Sequence, residues 1–100
     1  MDNEKPRRET IRWMALDVMN HGRPYPVAEP LILSAIQGVP VQCTALELRR
    51  ELDYLEHRGL AIVKKPEGAP WLAELTRHGV DVVEYPVECD PGIARPKKYW

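Results

Sequence analysis

The sequence predicts a small α+β domain, mainly helical: three helices, a two-stranded hairpin, a short closing helix and an extended C-terminal tail. Three observations predict it. The first and third helical stretches carry apolar stripes at helical spacing. Two β-prone stretches, Leu60–Val63 and Trp71–Leu75, flank a polar loop bearing Pro and Gly. Ten prolines divide the chain so finely that every element must be short. One hundred residues are enough for one modest core and too few for two. The folded domain is expected over residues 1–85 and the tail over 86–100.

The elements follow in order. The first helix is expected from Arg8 to Asn20, closed by the Gly22-Arg23-Pro24 break. Ile11, Met14, Ala15, Val18 and Met19 form its core stripe. Trp13 and Leu16 fall outside it, among Arg12, Asp17 and Asn20, and are expected to form a dimer interface. Glu29-Pro30 opens the second helix, with Pro30 at the first helical position, where its missing N–H is not needed. Leu31, Ile32, Leu33, Ala35 and Ile36 make it short and almost wholly buried, and Gly38 ends it. Val41-Gln42-Cys43 is expected to be extended, as a short strand before the third helix.

Thr44-Ala45-Leu46-Glu47 is a capping box, with Thr at the cap and Glu three residues on, so a helix starts there. It should run to about Arg58 and stop at Gly59. Ala45, Leu48, Leu52 and Leu55 share an inward arc, while Leu46, Arg49, Arg50, Asp53, Tyr54 and His57 point outward. Leu60–Val63 and Trp71–Leu75 then form an antiparallel hairpin, with Trp71 expected on the sheet. Thr76 caps a last helix through about Glu84, with Val80 and Val83 facing in. From Pro86 to Trp100 the chain is extended, either draped over the body or disordered.

Net charge is −1, which argues against a generic polyanion binder. Its distribution is uneven. Lys5, Arg7, Arg8 and Arg12 cluster at the start, and Arg95, Lys97 and Lys98 at the end. Acids concentrate between Glu47 and Glu56 and again between Asp81 and Asp90. An anionic partner would meet the termini and selected loops; solvated tails are the alternative account.

Several function classes find no support. No apolar run approaches the roughly 20 residues that span a membrane. The start, Met1 to Lys5, has no apolar stretch behind a basic patch, so no signal peptide is expected and the expected compartment is the cytoplasm. Cys43 and Cys89 are accordingly expected to be reduced thiols. His21, Cys43, His57, His78 and Cys89 lack metal-ligand spacing. Asp17 and His21, one turn apart, read as a solvent ion pair. No phosphate loop, nucleophile motif or convergent carboxylate pair occurs, so no catalysis, cofactor or metal is expected.

Three helices followed by a hairpin with a charged tip is the winged helix-turn-helix order. The stretch Leu52-Asp53-Tyr54-Leu55-Glu56-His57-Arg58-Gly59-Leu60 resembles the end of the recognition helix and the turn into the wing in winged-helix regulators. Glu74-Leu75-Thr76-Arg77-His78-Gly79 resembles the Leu-Thr-x-x-Gly joining the second wing strand to the closing helix. Over residues 8–98 the chain is similar to small winged-helix proteins of Mu-like phages and prophages. The landmarks are Gly22-Arg23-Pro24-Tyr25, the Leu-rich second helix, Leu55-Glu56-His57-Arg58-Gly59-Leu60, Leu75-Thr76-Arg77-His78-Gly79-Val80 and Pro91-Gly92-Ile93-Ala94-Arg95-Pro96.

The resemblance implies a transcriptional regulator that binds double-stranded DNA as a dimer, its third helix in the major groove and its wing on the backbone. On that helix Arg49 and Arg50 are the residues suited to guanine, among Thr44, Leu46, Glu47, Asp53 and His57. Lys64, Lys65, Arg7, Arg8 and Arg12 are placed to neutralise phosphates. Against this, Glu47, Glu51, Asp53 and Glu56 share the helix with only Arg49, Arg50 and Arg58. The alternative is an adaptor in phage assembly that uses the same body to hold another protein.

Overall fold

The computed structural model describes residues 3–85 and 87–97. Its first helix, α1, spans Glu4–His21 and so begins four residues earlier than the apolar stripe suggests. Pro6 permits this, because it lies in the first turn, where backbone N–H groups have no intrahelical partner. Ile11, Ala15, Leu16 and Met19 are its buried residues. Leu16, expected on the outside, is fully buried. The reason is position: α1 packs against helices and sheet on several sides, so more than one stripe is covered.

After a turn containing a cis Arg23–Pro24 bond, Val27–Ala28 forms a two-residue strand, β1, followed directly by α2 over Glu29–Gln37. Only one side of α2 meets the body. Ile32 and Ile36 are buried and Leu33 is half-buried, but Leu31 is 62% exposed and Ala35 is also exposed. The expectation of an almost wholly buried helix is corrected. Val41–Cys43 forms no strand either. Two of its carbonyls are satisfied by side chains instead, with Arg7 donating to the Gln42 oxygen and Gln37 to that of Cys43.

Helix α3 spans Ala45–His57 and begins with the capping box: the Thr44 hydroxyl accepts from the Glu47 N–H at 3.1 Å, and the Glu47 carboxylate accepts from the Thr44 N–H at 3.2 Å. Leu48, Leu52 and Leu55 face the core, whereas Ala45, expected to do so, is exposed in the first turn. Gly59 ends the run at φ +74°, a conformation that side chains with a Cβ resist.

The hairpin consists of β2, Ala61–Lys64, and β3, Leu72–Leu75, paired antiparallel with Val63 opposite Ala73. β1 adds to the other edge of β3, giving the order β1-β3-β2. Ala61 and Val63 are buried, Ile62 and Lys64 exposed, as strand alternation requires. Thr76 then caps α4, Arg77–Val83, accepting from the Gly79 N–H and donating to the Gly59 carbonyl at 2.6 Å. α4 begins close against the preceding chain: a Cβ on Gly79 would overlap the Leu60 carbonyl oxygen.

Residues 87–97 drape over the body. Ile93 is buried, the Ala94 N–H donates to the Glu9 carbonyl, and the Arg95 guanidinium donates to the carbonyls of Val82 and Val87. The core therefore runs from Ile11 to Ile93, with Leu16, Met19, Ile32, Ile36, Leu48, Leu52, Leu55, Leu60 and Val82 fully or nearly fully buried. Each such side chain contributes about 1.5–3 kcal/mol of hydrophobic stabilisation. The molecule is thus a small α+β domain with four helices and a three-stranded antiparallel sheet among the described residues. No helix among them is long and apolar enough to cross a membrane. Lys98 and Trp100 of the tail lie outside the described residues.

Candidate nucleic-acid interface

Between α2 and the hairpin, α3 presents Leu46, Arg50, Asp53 and His57, all exposed. Their spacings of four, three and four place them in one stripe. Neither the Arg50 nor the His57 side chain has a hydrogen bond or ion pair among the described residues. Lys64, on the outer face of β2, and Arg8, half-buried on α1, are equally without a carboxylate partner among them.

The other cations assigned to this surface are engaged. Arg49 grips the Glu29 carboxylate with two hydrogen bonds, from Nε at 2.8 Å and from the terminal nitrogen at 2.5 Å. Its guanidinium also lies over the Trp71 ring, 4.5 Å from the centroid. Glu29 is 7% exposed. The Arg49 bond outweighs burial and, with the Trp71 N–H, holds the Glu29 carboxyl below the usual carboxylate range. Arg49, expected to be open for base contact, is thus engaged by Glu29 and Trp71, with 40% of its side chain still exposed.

Lys65 bridges Asp53 at 2.8 Å and Glu56 at 3.2 Å. Arg7 pairs with Glu4 and Glu47 and donates to the Gln42 carbonyl. The Arg7 bond is also the largest cause of a lowered Glu47 carboxyl. Glu51, buried, meets Arg12 at 2.7 Å. Each of the four α3 acids that count against an anionic partner thus meets a cation from α1 or the hairpin, with Asp53 and Glu56 sharing Lys65.

Tyr54, expected to point outward, is half-buried and part of a second cluster. Its hydroxyl donates to Asp90 at 3.0 Å, and Asp90 also receives Arg58 at 3.1 Å and the Gly92 N–H at 2.7 Å. Burial first, and then Asp90, push the Tyr54 hydroxyl above its ordinary value.

Of the two residues expected at a dimer interface, Trp13 alone keeps some exposure. Leu16 is fully buried, and Trp13, half-buried, meets the Tyr85 ring edge-on at 6.3 Å between centroids and 64° between planes. Cys43 is buried and Cys89 half-buried, both free thiols; burial pushes Cys43 up to about 11. Asp17 and His21 approach to 3.7 Å. Among the described residues no group of three or more His, Cys, Asp or Glu could hold a metal ion.

Sequence reasoning passed over Glu29 and Trp71 as functional residues. Glu29 reads locally as the first turn of a helix, and its partner Arg49 lies 20 residues away. Alongside them, residues 65–70 of the hairpin loop and α3 enclose an open cleft of about 550 Å³. No protein-family model, curated protein or solved structure matches the chain.

Proposed function

We propose that this chain is a winged helix-turn-helix protein that binds double-stranded DNA, a phage-type regulator with α3 in the major groove and the β2–β3 hairpin on the backbone. One observation carries the reading. The four carboxylates of α3 each meet a cation from α1 or the hairpin, Asp53 and Glu56 sharing Lys65, and with Arg49 held by Glu29 this leaves Arg50 as the unpaired arginine among the described residues of that helix. Arg50 is the base reader, and Lys64 and Arg8 are the phosphate contacts. Arg49, Lys65 and Arg7 support the surface instead of reading through it.

Selection of bound duplexes from a random DNA pool at moderate salt tests this. Arg50→Ala should cost about 1–3 kcal/mol on the enriched site and relax one base position. Lys64→Ala should weaken all sequences alike and flatten the salt dependence. Two half-sites would imply a dimer, to which the fully buried Leu16 would contribute no surface.

The second reading, a phage-assembly adaptor, is favoured by the exposed apolar side chains Leu31, Leu46 and Ile62, at 62%, 61% and 46% exposure, beside so few open cations. A pool that enriches no site decides for it.

A further inference from the structure

We propose that Glu29 and Arg49 form a strut that holds the hairpin at a set angle to α3, so that Arg49 is a positioning residue acting through the wing. The proposal rests on the DNA-binding reading. Its ground is the way one carboxylate joins three elements. Glu29, at the start of α2, accepts both Arg49 bonds from α3 and a third, at 2.9 Å, from the Trp71 N–H at the entrance to β3. The Glu29 N–H donates back to the Trp71 carbonyl at 2.9 Å, so main chain and side chain clasp the same residue. The Trp71 ring in turn lies under the Arg49 guanidinium and within 4.9 Å of the Lys65 ammonium.

Lys65 completes the arrangement from the other end of the loop. It leaves β2 and ties to Asp53 and Glu56, one turn apart on α3. The loop between β2 and β3 is thereby anchored to α3 where it begins and where it ends. The strands are held by β1 and by the buried Ala61, Val63 and Ala73; the loop beyond them, pinned at both ends, keeps its height relative to the Arg50 stripe. A bidentate guanidinium–carboxylate pair suits this role, because its planar geometry fixes direction as well as distance.

The test uses the full chain with Arg49→Lys, Arg49→Met, Glu29→Gln and the double variant Glu29→Gln/Arg49→Met. Binding is measured on the duplex enriched by the wild type, with base preference scored at every position. Amide hydrogen exchange is followed across residues 61–75. Glu29→Gln and Arg49→Met should each weaken binding by about tenfold, with the double variant no weaker than the worse single one, since both break one unit. Base preference should stay unchanged, Arg49→Lys should fall between wild type and Arg49→Met, and the Trp71 amide should exchange faster.

If Arg49→Met relaxes preference at one position while Glu29→Gln binds like wild type, Arg49 reads bases and the strut is overturned. Should Glu29→Gln fail to fold, Arg49→Lys and Arg49→Met carry the comparison. If the wild type enriches no duplex, the DNA reading falls separately, and hydrogen exchange judges the strut: faster exchange at Trp71 sustains it, unchanged exchange overturns it.

Discussion

Arg12 and Tyr54 stack across the contact between α1 and α3, with the guanidinium carbon 3.7 Å from the ring centroid. From that position Arg12 donates Nε to Glu51 at 2.7 Å and a terminal nitrogen to the Gly92 carbonyl at 2.8 Å. One side chain therefore neutralises a buried acid of α3, covers an aromatic face and holds the tail. Its cation–aromatic contact contributes alongside the hydrogen bonds.

Arg12→Met should destabilise the protein by about 3 kcal/mol, because it leaves the buried Glu51 carboxylate without its cation. Urea unfolding followed by circular dichroism measures it. Arg12→Met combined with Glu51→Leu should recover most of the loss, since the unpaired charge, more than the missing bond, is the cost. A single variant as stable as wild type would show that Glu51 finds water or another partner.

Acid should weaken the fold through Glu29 and Glu47. Both carboxyls are held below the ordinary range, chiefly by Arg49 and Arg7. A carboxyl lowered in the folded state contributes stability that is complete above its unfolded value, near 4.3, and is lost as pH falls through the folded value. Urea midpoints should be level from neutrality to about pH 5 and drop below about pH 4. Glu29→Gln should make that drop shallower. Glu47→Gln should change it less, because the Glu47 carboxylate is more open to solvent than that of Glu29. An acid limb identical in wild type and Glu29→Gln would count against the Glu29 account.

Ile93→Ala should cost about 2–4 kcal/mol, the range for deleting a buried aliphatic side chain. Pro91→Ala, at an exposed position of the same segment, should fall within about 0.5 kcal/mol. Guanidinium unfolding separates the two. Equal small effects would mean that residues 87–97 lie on the body without joining its core.

What was legible in the sequence was local. The Thr44 capping box, the Gly59 stop, the hairpin between Leu60 and Leu75 and the Thr76 cap each depend on residues within a few positions of one another. Burial was less legible, because helical periodicity names a stripe and not the neighbours that cover it. Leu16 is buried since α1 has partners on several sides, and Leu31 is exposed since α2 has them on one. The strand expected at Val41–Cys43 yields to β1 at Val27–Ala28, which reaches β3, while side chains of Arg7 and Gln37 take the carbonyls that a strand partner would have used. Least legible were the ion pairs. Arg12 and Glu51 are 39 residues apart and Arg49 and Glu29 are 20 apart, distances over which no sequence pattern assigns partners.

The pairing of Arg7, Arg12, Arg49, Arg58 and Lys65 with acids of the same chain bears on how the molecule is found by whatever it binds. Long-range attraction is generated by open charge, and a cation matched at close range projects little field beyond a Debye length of roughly 8 Å at physiological ionic strength. With these five cations matched, the reach of the surface falls to open ones such as Arg8, Arg50 and Lys64, and a polyanion would shed only the few counterions those displace. The salt dependence of such an encounter should therefore be shallow and set by those three side chains. Such a molecule would select its partner chiefly on contact, by shape and by a few groups, so its selectivity should change less with ionic strength than its affinity.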